Sequence, residues 1–312
     1  MLELRKYIFA MGKPVSQAHY VQCGLTMGEL LVSCATFNVL HGRRIQPDGR
    51  PTPAAPDEPS APLAEAVASL DADVVALQEV DRLQERSGGV DQAAVAADAM
   101  GARDWRYATA LHCRSVPGRG WVLDPDEPGM RVYGPEVRQP QIPSHGLALL
   151  SRLPVHEWRA LRLPAAPIGM PLRVAGRAAP VLARDQARAA LAAVVEGPHG
   201  PFTVVAVHLS FVPGWNIGQL RTVRRWIADL PQPRVLMGDF NLFGALPRLT
   251  LNATAPRGWR SSARRATFPS HRPLVQLDHI MTTGLGADAV GTAHAPRTAI
   301  SDHRPLVVEL AL

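Results

Sequence analysis

"VLMGDFNLF" occupies Val235–Phe243. A short apolar run, the signature of a buried strand, leads straight into Gly238, Asp239, Phe240 and Asn241. Gly, Asp and Asn are ordinary turn residues. The sharper reading is that Asp239 and Asn241 project from a strand end into a site, and the rest of the chain decides between the two.

The same arrangement recurs along the sequence. "ATFNVLHG" ends on Asn38, "VVALQEV" carries Glu79, and "VVAVHLS" ends on His208. "VQLDHI" carries Asp278, and "AISDHRPLVVEL" opens with Asp302 and His303. One polar residue at a strand edge is most often a structural hydrogen-bond partner. Six such strand ends are another matter. Unpaired buried carboxylates are unfavourable, so a fold that gathers them normally supplies a cation. Carboxylate and amide oxygens without cysteine suit a hard cation. Mg²⁺ fits best, with Mn²⁺ as a substitute, and it would polarise a phosphoryl oxygen and orient a water.

The remaining elements frame these strands. Val32–Val39 reads as the first strong strand, and Pro62–Ala72 as a helix with Leu63, Val67 and Leu70 on one face. Asp91–Gly101 reads as a second helix, with Asp91 as N-cap and Gly101 as its stop. "ARAALAAVVE" and "FTVVAVHLS" read as neighbouring strands, and Asn216–Leu230 as an amphipathic helix with an Arg face. Residues 47–60 hold five prolines and read as a surface loop; residues 112–143, rich in Pro and Gly, read as a long loop. Helices between apolar strands early, and many strands late, indicate an α+β domain with packed sheets. The domain is expected over 32–312. Residues 1–31 are expected to be a poorly ordered N-terminal extension, or the product of a start placed before Met27.

Composition narrows the class. The chain has 312 residues, 46% hydrophobic and 19% charged, so it can bury a core and is not a disordered tail. Its formal charge is +6, carried almost wholly by arginine, with lysine only at Lys6 and Lys13. An arginine surplus suits phosphate ligands; a GC-rich gene would produce it as well. Three cysteines without a CxxC pair exclude a complete disulfide framework and make a zinc-finger reading untenable. No stretch reaches the ~20 apolar residues of a membrane helix, and the apolar run after Lys6 is too short for a signal peptide. A cytoplasmic monomer without a transmembrane segment is expected.

Taken in order, Asn38, "LQEV" with Glu79, "HL" with His208, "GDFN" with Asp239 and Asn241, "LDHI" with Asp278, and "SDH" with Asp302 and His303 resemble the endonuclease/exonuclease/phosphatase superfamily over about residues 32–312. The resemblance implies a four-layer α/β/β/α sandwich, two mixed β-sheets packed face to face with helices outside. It implies Mg²⁺-dependent hydrolysis of a phosphodiester or phosphomonoester. Glu79 is then the principal metal ligand, with Asn38 beside it and Asp302 supporting the metal or its waters. Asp239 orients or deprotonates the attacking water, and Asn241 holds a phosphate oxygen. His303, oriented by Asp278, contacts the scissile phosphate. His208 stabilises developing charge or protonates the leaving oxygen. Whether Asp239 or His303 is the general base stays open.

Departures matter. Leu40 stands where abasic-site endonucleases of the superfamily usually have an acid or amide, no Lys follows "QE", and His208 has no counterpart in them. The pattern is closer to the sphingomyelinase and deoxyribonuclease-like phosphodiesterase branches. Leu147 replaces the Asn of a "GNA" motif. Leu40 also weighs against a two-metal nuclease. His41, His145 and His279 read as structural histidines, and Asp81 as a helix or loop cap. The substrate is expected to be an anionic phosphate ester, a nucleic acid or a phospholipid headgroup. Trp215 is a candidate to stack on a base or enter a lipid interface. Arg264 and Arg265, in the basic stretch 254–277, are candidate substrate contacts. The competing reading is an inactive scaffold that keeps the fold.

Overall fold

A computed structural model describes residues 31–52, 59–135, 140–172, 179–253, 258–262, 264–286 and 288–312. The expectations for the N-terminal extension and for Met27 lie outside these residues. Sixteen strands and four α-helices are described, among them β1 (Val32–Asn38), α1 (Ala61–Ala68), β2 (Val74–Arg82), α2 (Gln92–Met100), β3 (Asp104–Val116), β4 (Gly120–Leu123), β5 (Val132–Tyr133), β6 (Ser144–Ser151) and β7 (Val155–Leu163). A short hairpin, β8 (Gly169–Leu172) and β9 (Val181–Arg184), stands apart from the main sheets. Then follow β10 (Arg188–Gly197), β11 (Gly200–His208), α3 (Trp215–Trp226), β12 (Arg234–Asp239), α4 (Leu246–Asn252), β13 (Trp259–Ser261), β14 (Asp278–Thr283), β15 (Val290–His294) and β16 (Leu306–Leu310).

The strands form two mixed sheets. The first runs β15-β16-β1-β2-β6-β3-β4, with β5 on β3; the second runs β13-β14-β12-β11-β10-β7. Each contains one parallel pair, β1 with β2 and β11 with β12. A parallel pair needs a crossover; α1 lies between β1 and β2 in the chain, and α3 between β11 and β12.

Alternation within the strands explains the layering. On β10, Ala189, Leu191, Ala193 and Val195 pack with Val204 and Ala206 of β11 and with Cys34, Val74, Ala76 and Leu149 of the first sheet, making the core between the sheets. The opposite face of the first sheet, with Phe37, Val75 and Leu77, packs on Leu63 and Val67 of α1 and Ala93 and Ala97 of α2. The opposite face of the second, with Val205, Val207 and Leu236, packs on Leu220 and Val223 of α3 and Leu251 of α4. The result is helix, sheet, sheet, helix.

Local signals were read well where caps exist. Asp91 accepts from the backbone N–H of Ala93 and Ala94, and Gly101 takes the left-handed conformation that ends α2. The expected loop over 112–143 is different: β3 continues to Val116 and turns back into β4, with Gly118 and Gly120 at positive φ in the turn. The glycines read as loop residues are the hairpin's turn. The stretch 254–277 likewise contains β13, paired with β14.

Candidate active site

Both parallel pairs end at the same place. Asn38 is the last residue of β1, and His208 and Asp239 are register partners at the ends of β11 and β12. Ligands of open α/β sheets gather beyond the carboxyl ends of parallel strands, and here two such ends face each other. Asp278 opens β14 opposite Asp239, so the two carboxylates are neighbours by strand register.

Gly238 answers why glycine precedes Asp239. A Cβ there would stand 1.9 Å from the carbonyl oxygen of Val207, so only glycine lets β12 lie this close to β11. Asn241 follows with a left-handed φ of 49°. Its backbone N–H donates to Asp239 Oδ1, and its side-chain amide donates to the carbonyl of Leu209. The "GDFN" turn is thus tied to the end of β11.

Glu79 is displaced from the ladder. The β2–β6 register runs from Gln78 opposite Leu147 to Val80 opposite Gly146, which leaves Glu79 as the extra residue of a β-bulge with φ 56°. Bulges re-aim side chains and increase local twist, and a non-glycine residue at positive φ is strained. Asn38 Nδ2 donates to Glu79 Oε1 and to Asp239 Oδ2, both at 3.1 Å. Its Oδ1 accepts from the N–H of Leu40.

The two histidines approach from different sides. His208 Nε2 lies 3.7 Å and His303 Nε2 3.9 Å from Asp239 Oδ2. His303 Nδ1 is 2.8 Å from Asp278 Oδ2, the carboxylate–imidazole pair expected from "LDHI" and "SDH". Ser301 braces it: its hydroxyl donates to the carbonyl of Asn38 and accepts from the N–H of His303. Phe268 packs on the His303 ring at 5.0 Å.

Burial and neighbours set the protonation. Burial would lower His303, but the carboxylates of Asp278 and Asp239 raise it well above the ordinary histidine value. Burial, with Asp278 beside it, raises Asp239 above the usual carboxylate range. Burial and the Arg188 guanidinium hold His208 well below. Burial would raise Glu79, yet His208, His145 and the Asn38 amide outweigh it and bring the carboxyl down to about 2. Burial raises Asp302, whose side chain is half-buried.

Sequence reasoning missed a second cluster beside Glu79. Asp81 is fully buried, not a cap: it accepts from Arg86 Nε and Nη2 at 2.7 and 2.8 Å and lies 2.7 Å from His145 Nδ1. Burial would raise its pKa, but Arg86 and His145 hold it well below the carboxylate range. Trp121 covers the cluster, 4.3 Å from the Arg86 guanidinium and 4.9 Å from the His145 ring. The signal was alternation: His145 shares the inner face with Leu147 and Leu149. Arg188, against His208, had no such signal. His279 is structural, as expected, with Nε2 at 2.9 Å from the Leu242 carbonyl. His41 is half-buried at φ 46°, its pKa lowered to about 4 by burial and Arg86. Leu147 is core.

The other candidates are at the surface, and Asn216, next to Trp215, donates its side-chain amide to the carbonyl of Asn241. The Trp215 indole N–H donates to the Pro164 carbonyl, and the ring is 37% exposed. Arg264 and Arg265 are exposed; Arg265 Nε donates to Ala293 on β15. The basic stretch reaches the site through Phe268 and through Thr267, whose hydroxyl accepts from the N–H of Leu277 and Asp278.

The fit to a divalent cation can be judged from the donors. Asp239, Asp278 and His303 can each bring one donor atom within 4.8 Å of the other two. The buried Asp278 Oδ1 has no partner among the described residues. His303 is occupied by Asp278, so the donors left for a cation are the oxygens of Glu79, Asn38, Asp239 and Asp302, without thiolate, a set that suits a hard cation.

The model of the Endonuclease/Exonuclease/phosphatase family matches residues 35–303. The chain belongs to this family. Its members are phosphoesterase hydrolases, generally dependent on a divalent metal. Solved structures share the fold. An endonuclease/exonuclease/phosphatase from Beutenbergia cavernae is 24% identical with a TM-score of 0.58, over 90% of this chain and 72% of that one. The mannosyl-6-phosphatase of Bacteroides thetaiotaomicron is 15% identical, TM-score 0.52, over 90% of this chain and 100% of its own. D. rerio TDP2 complexed with a single-strand DNA product is 14% identical, TM-score 0.50, over 89% and 98%. No curated protein matches the chain in sequence. No helix of the described residues is long and apolar enough to cross a membrane.

Proposed function

We propose that this member of the endonuclease/exonuclease/phosphatase family is a Mg²⁺-dependent phosphodiesterase that cleaves its ester by in-line attack of water. The observation that carries the reading is the convergence of Glu79, Asn38, Asp239, His208 and the His303–Asp278 pair from both sheets. An inactive scaffold would be free to lose one of these contacts, and they are intact.

Glu79, Asn38 and Asp302 would hold the metal, with Mn²⁺ able to replace Mg²⁺. Bound there, the cation would polarise a phosphoryl oxygen and offset charge in the transition state. Asp239, raised by burial, orients the water and takes up its proton. His303, kept protonated by Asp278, donates to a non-bridging phosphate oxygen. Asn241 offers that oxygen its remaining amide hydrogen. His208, neutral beside Arg188, faces the leaving side. Trp215, Arg264 and Arg265 are kept as outer contacts to a nucleic acid or phospholipid headgroup. A cytoplasmic monomer is part of the proposal; free, buried Cys34 and Cys113 agree with a reducing compartment.

The test compares bis-(p-nitrophenyl) phosphate with p-nitrophenyl phosphate, with Mg²⁺, Mn²⁺ or EDTA, for wild type and Asp239→Asn. Cleavage of the diester that EDTA stops and Asp239→Asn abolishes is expected. Preference for the monoester would make the protein a phosphatase. No turnover together with no Mg²⁺ binding by calorimetry would leave the scaffold.

A further inference from the structure

A narrow cleft, open to solvent at its mouth, lies beside His208. His145, Gly146 and Leu147 of β6 line one wall, and Gln186 and Arg188 the other. Three of its lining side chains are basic, and none carries a carboxylate among the described residues.

Arg188 is poised rather than spent. One Nη1 lies 3.3 Å from the His208 ring nitrogens. Its Nη2 is 3.6 Å from Asp185 Oδ1, longer than a hydrogen bond, and its buried Nε has no hydrogen-bond partner among the described residues. Asp185 uses Oδ2 for the N–H of Ala166 and the hydroxyl of Ser210, while Oδ1 has no hydrogen-bond partner among the described residues. The carboxylate therefore offsets the guanidinium only in part. A buried N–H without an acceptor is unfavourable, and an entering oxyanion would supply one. Across the cleft, His145 Nδ1 faces Asp81, which leaves Nε2 as the nitrogen available to a ligand.

We propose that this cleft is a second anion subsite, which binds a phosphate carried by the substrate in addition to the one being cleaved. The proposal rests on the phosphoesterase reading of the adjoining site. A planar guanidinium with a free N–H matches a tetrahedral oxyanion. His208 touches both positions, with its Nε2 3.7 Å from Asp239 Oδ2 and its ring nitrogens 3.3 Å from Arg188 Nη1. The two phosphates are therefore near neighbours on one small carrier, either a bisphosphorylated nucleoside or a sugar bisphosphate.

Calorimetry in Mg²⁺ buffer tests this. The ligands are thymidine 3′,5′-bisphosphate against thymidine 5′-monophosphate, and glucose 1,6-bisphosphate against glucose 6-phosphate. Wild type should bind at least one bisphosphate about tenfold tighter than its monophosphate, and the carrier that shows the preference names the source. Arg188→Gln and His145→Gln should each bring that ratio to within about threefold of one. Equal binding of bisphosphate and monophosphate by wild type for both carriers overturns the subsite. So does a preference that survives both substitutions. If Arg188→Gln fails to fold, His145→Gln decides alone. Turnover of bis-(p-nitrophenyl) phosphate in the same preparation separates the two readings: turnover without preference overturns only the subsite, and preference without turnover supports the subsite while the hydrolase reading falls.

Discussion

The side-chain amide of Asn38, at the end of β1, donates to the carboxylate of Asp239, at the end of β12, and so joins the two sheets by one hydrogen bond of 3.1 Å. The same amide donates to Glu79. One group thus holds in register two carboxylates that repel each other.

Asn38→Ala should leave both carboxylates short of a donor. Loss of one buried hydrogen-bond partner costs about 1–3 kcal/mol. Urea unfolding should show that loss, and diester turnover should fall by roughly 10²-fold or more. A variant with normal turnover would show that the amide is only a structural link.

Asp278→Asn should lower the pKa of His303, since the Asp278 carboxylate is what raises it against burial. A histidine raised in the folded state stabilises it fully below its unfolded pKa of about 6.5, and that contribution is lost as pH climbs through the folded value. Wild type should therefore lose this stabilisation only at alkaline pH, and the variant at lower pH. Titration of the His303 ring proton by NMR, with melting temperature against pH, reads both. Turnover should drop by roughly 10²–10⁴-fold if His303 must carry its proton.

Arg86→Met should strand the Asp81 carboxylate. Removing one partner of a buried ion pair costs about 3–5 kcal/mol; partial exposure of Arg86 puts the expected loss at the lower end. Asp81 is depressed in the fold, so its stabilisation is present above the unfolded value of about 3.9 and disappears as pH falls through the folded value. The variant should lack that contribution, and the stability difference from wild type should be full near neutral pH and shrink in strong acid. Melting curves from neutral pH down to about pH 2 check it.

Gly238→Ala should force β11 and β12 apart, because the added methyl would meet the Val207 carbonyl at 1.9 Å. Overpacking of this kind costs about 1–3 kcal/mol. His208 and Asp239 ride on these two strands, so turnover should fall more than stability alone explains. A melt and a kcat measured well below the melting temperature separate the two effects.

Much of this arrangement was legible in sequence because it obeys local rules. Strand alternation disclosed the inner faces, Asp91 and Gly101 marked a helix, and polar strand ends disclosed Asn38, His208, Asp239 and Asp278. What was hidden depends on a break in period. Val75 and Leu77 face the helices, and strict alternation would send Glu79 with them. The bulge at Glu79 resets the count, so Val80 returns to the helix side and Asp81 stands opposite His145. No spacing in "LQEVD" announces an extra residue, which is why Asp81 was read as a cap. Arg188 was hidden for another reason: its role depends on a guanidinium reaching a ring on the adjacent strand, a contact no period encodes.

The order of assembly follows from the strand order. β1 lies between β2 and β16, so one of the first described strands to leave the ribosome must wait for the last before its ladder is complete. Asn38 likewise receives Ser301 only when that late segment emerges. Contacts this distant in sequence form late and slowly. Until that segment emerges, the nascent chain carries Glu79, His208 and Asp239 without Asp302 or His303.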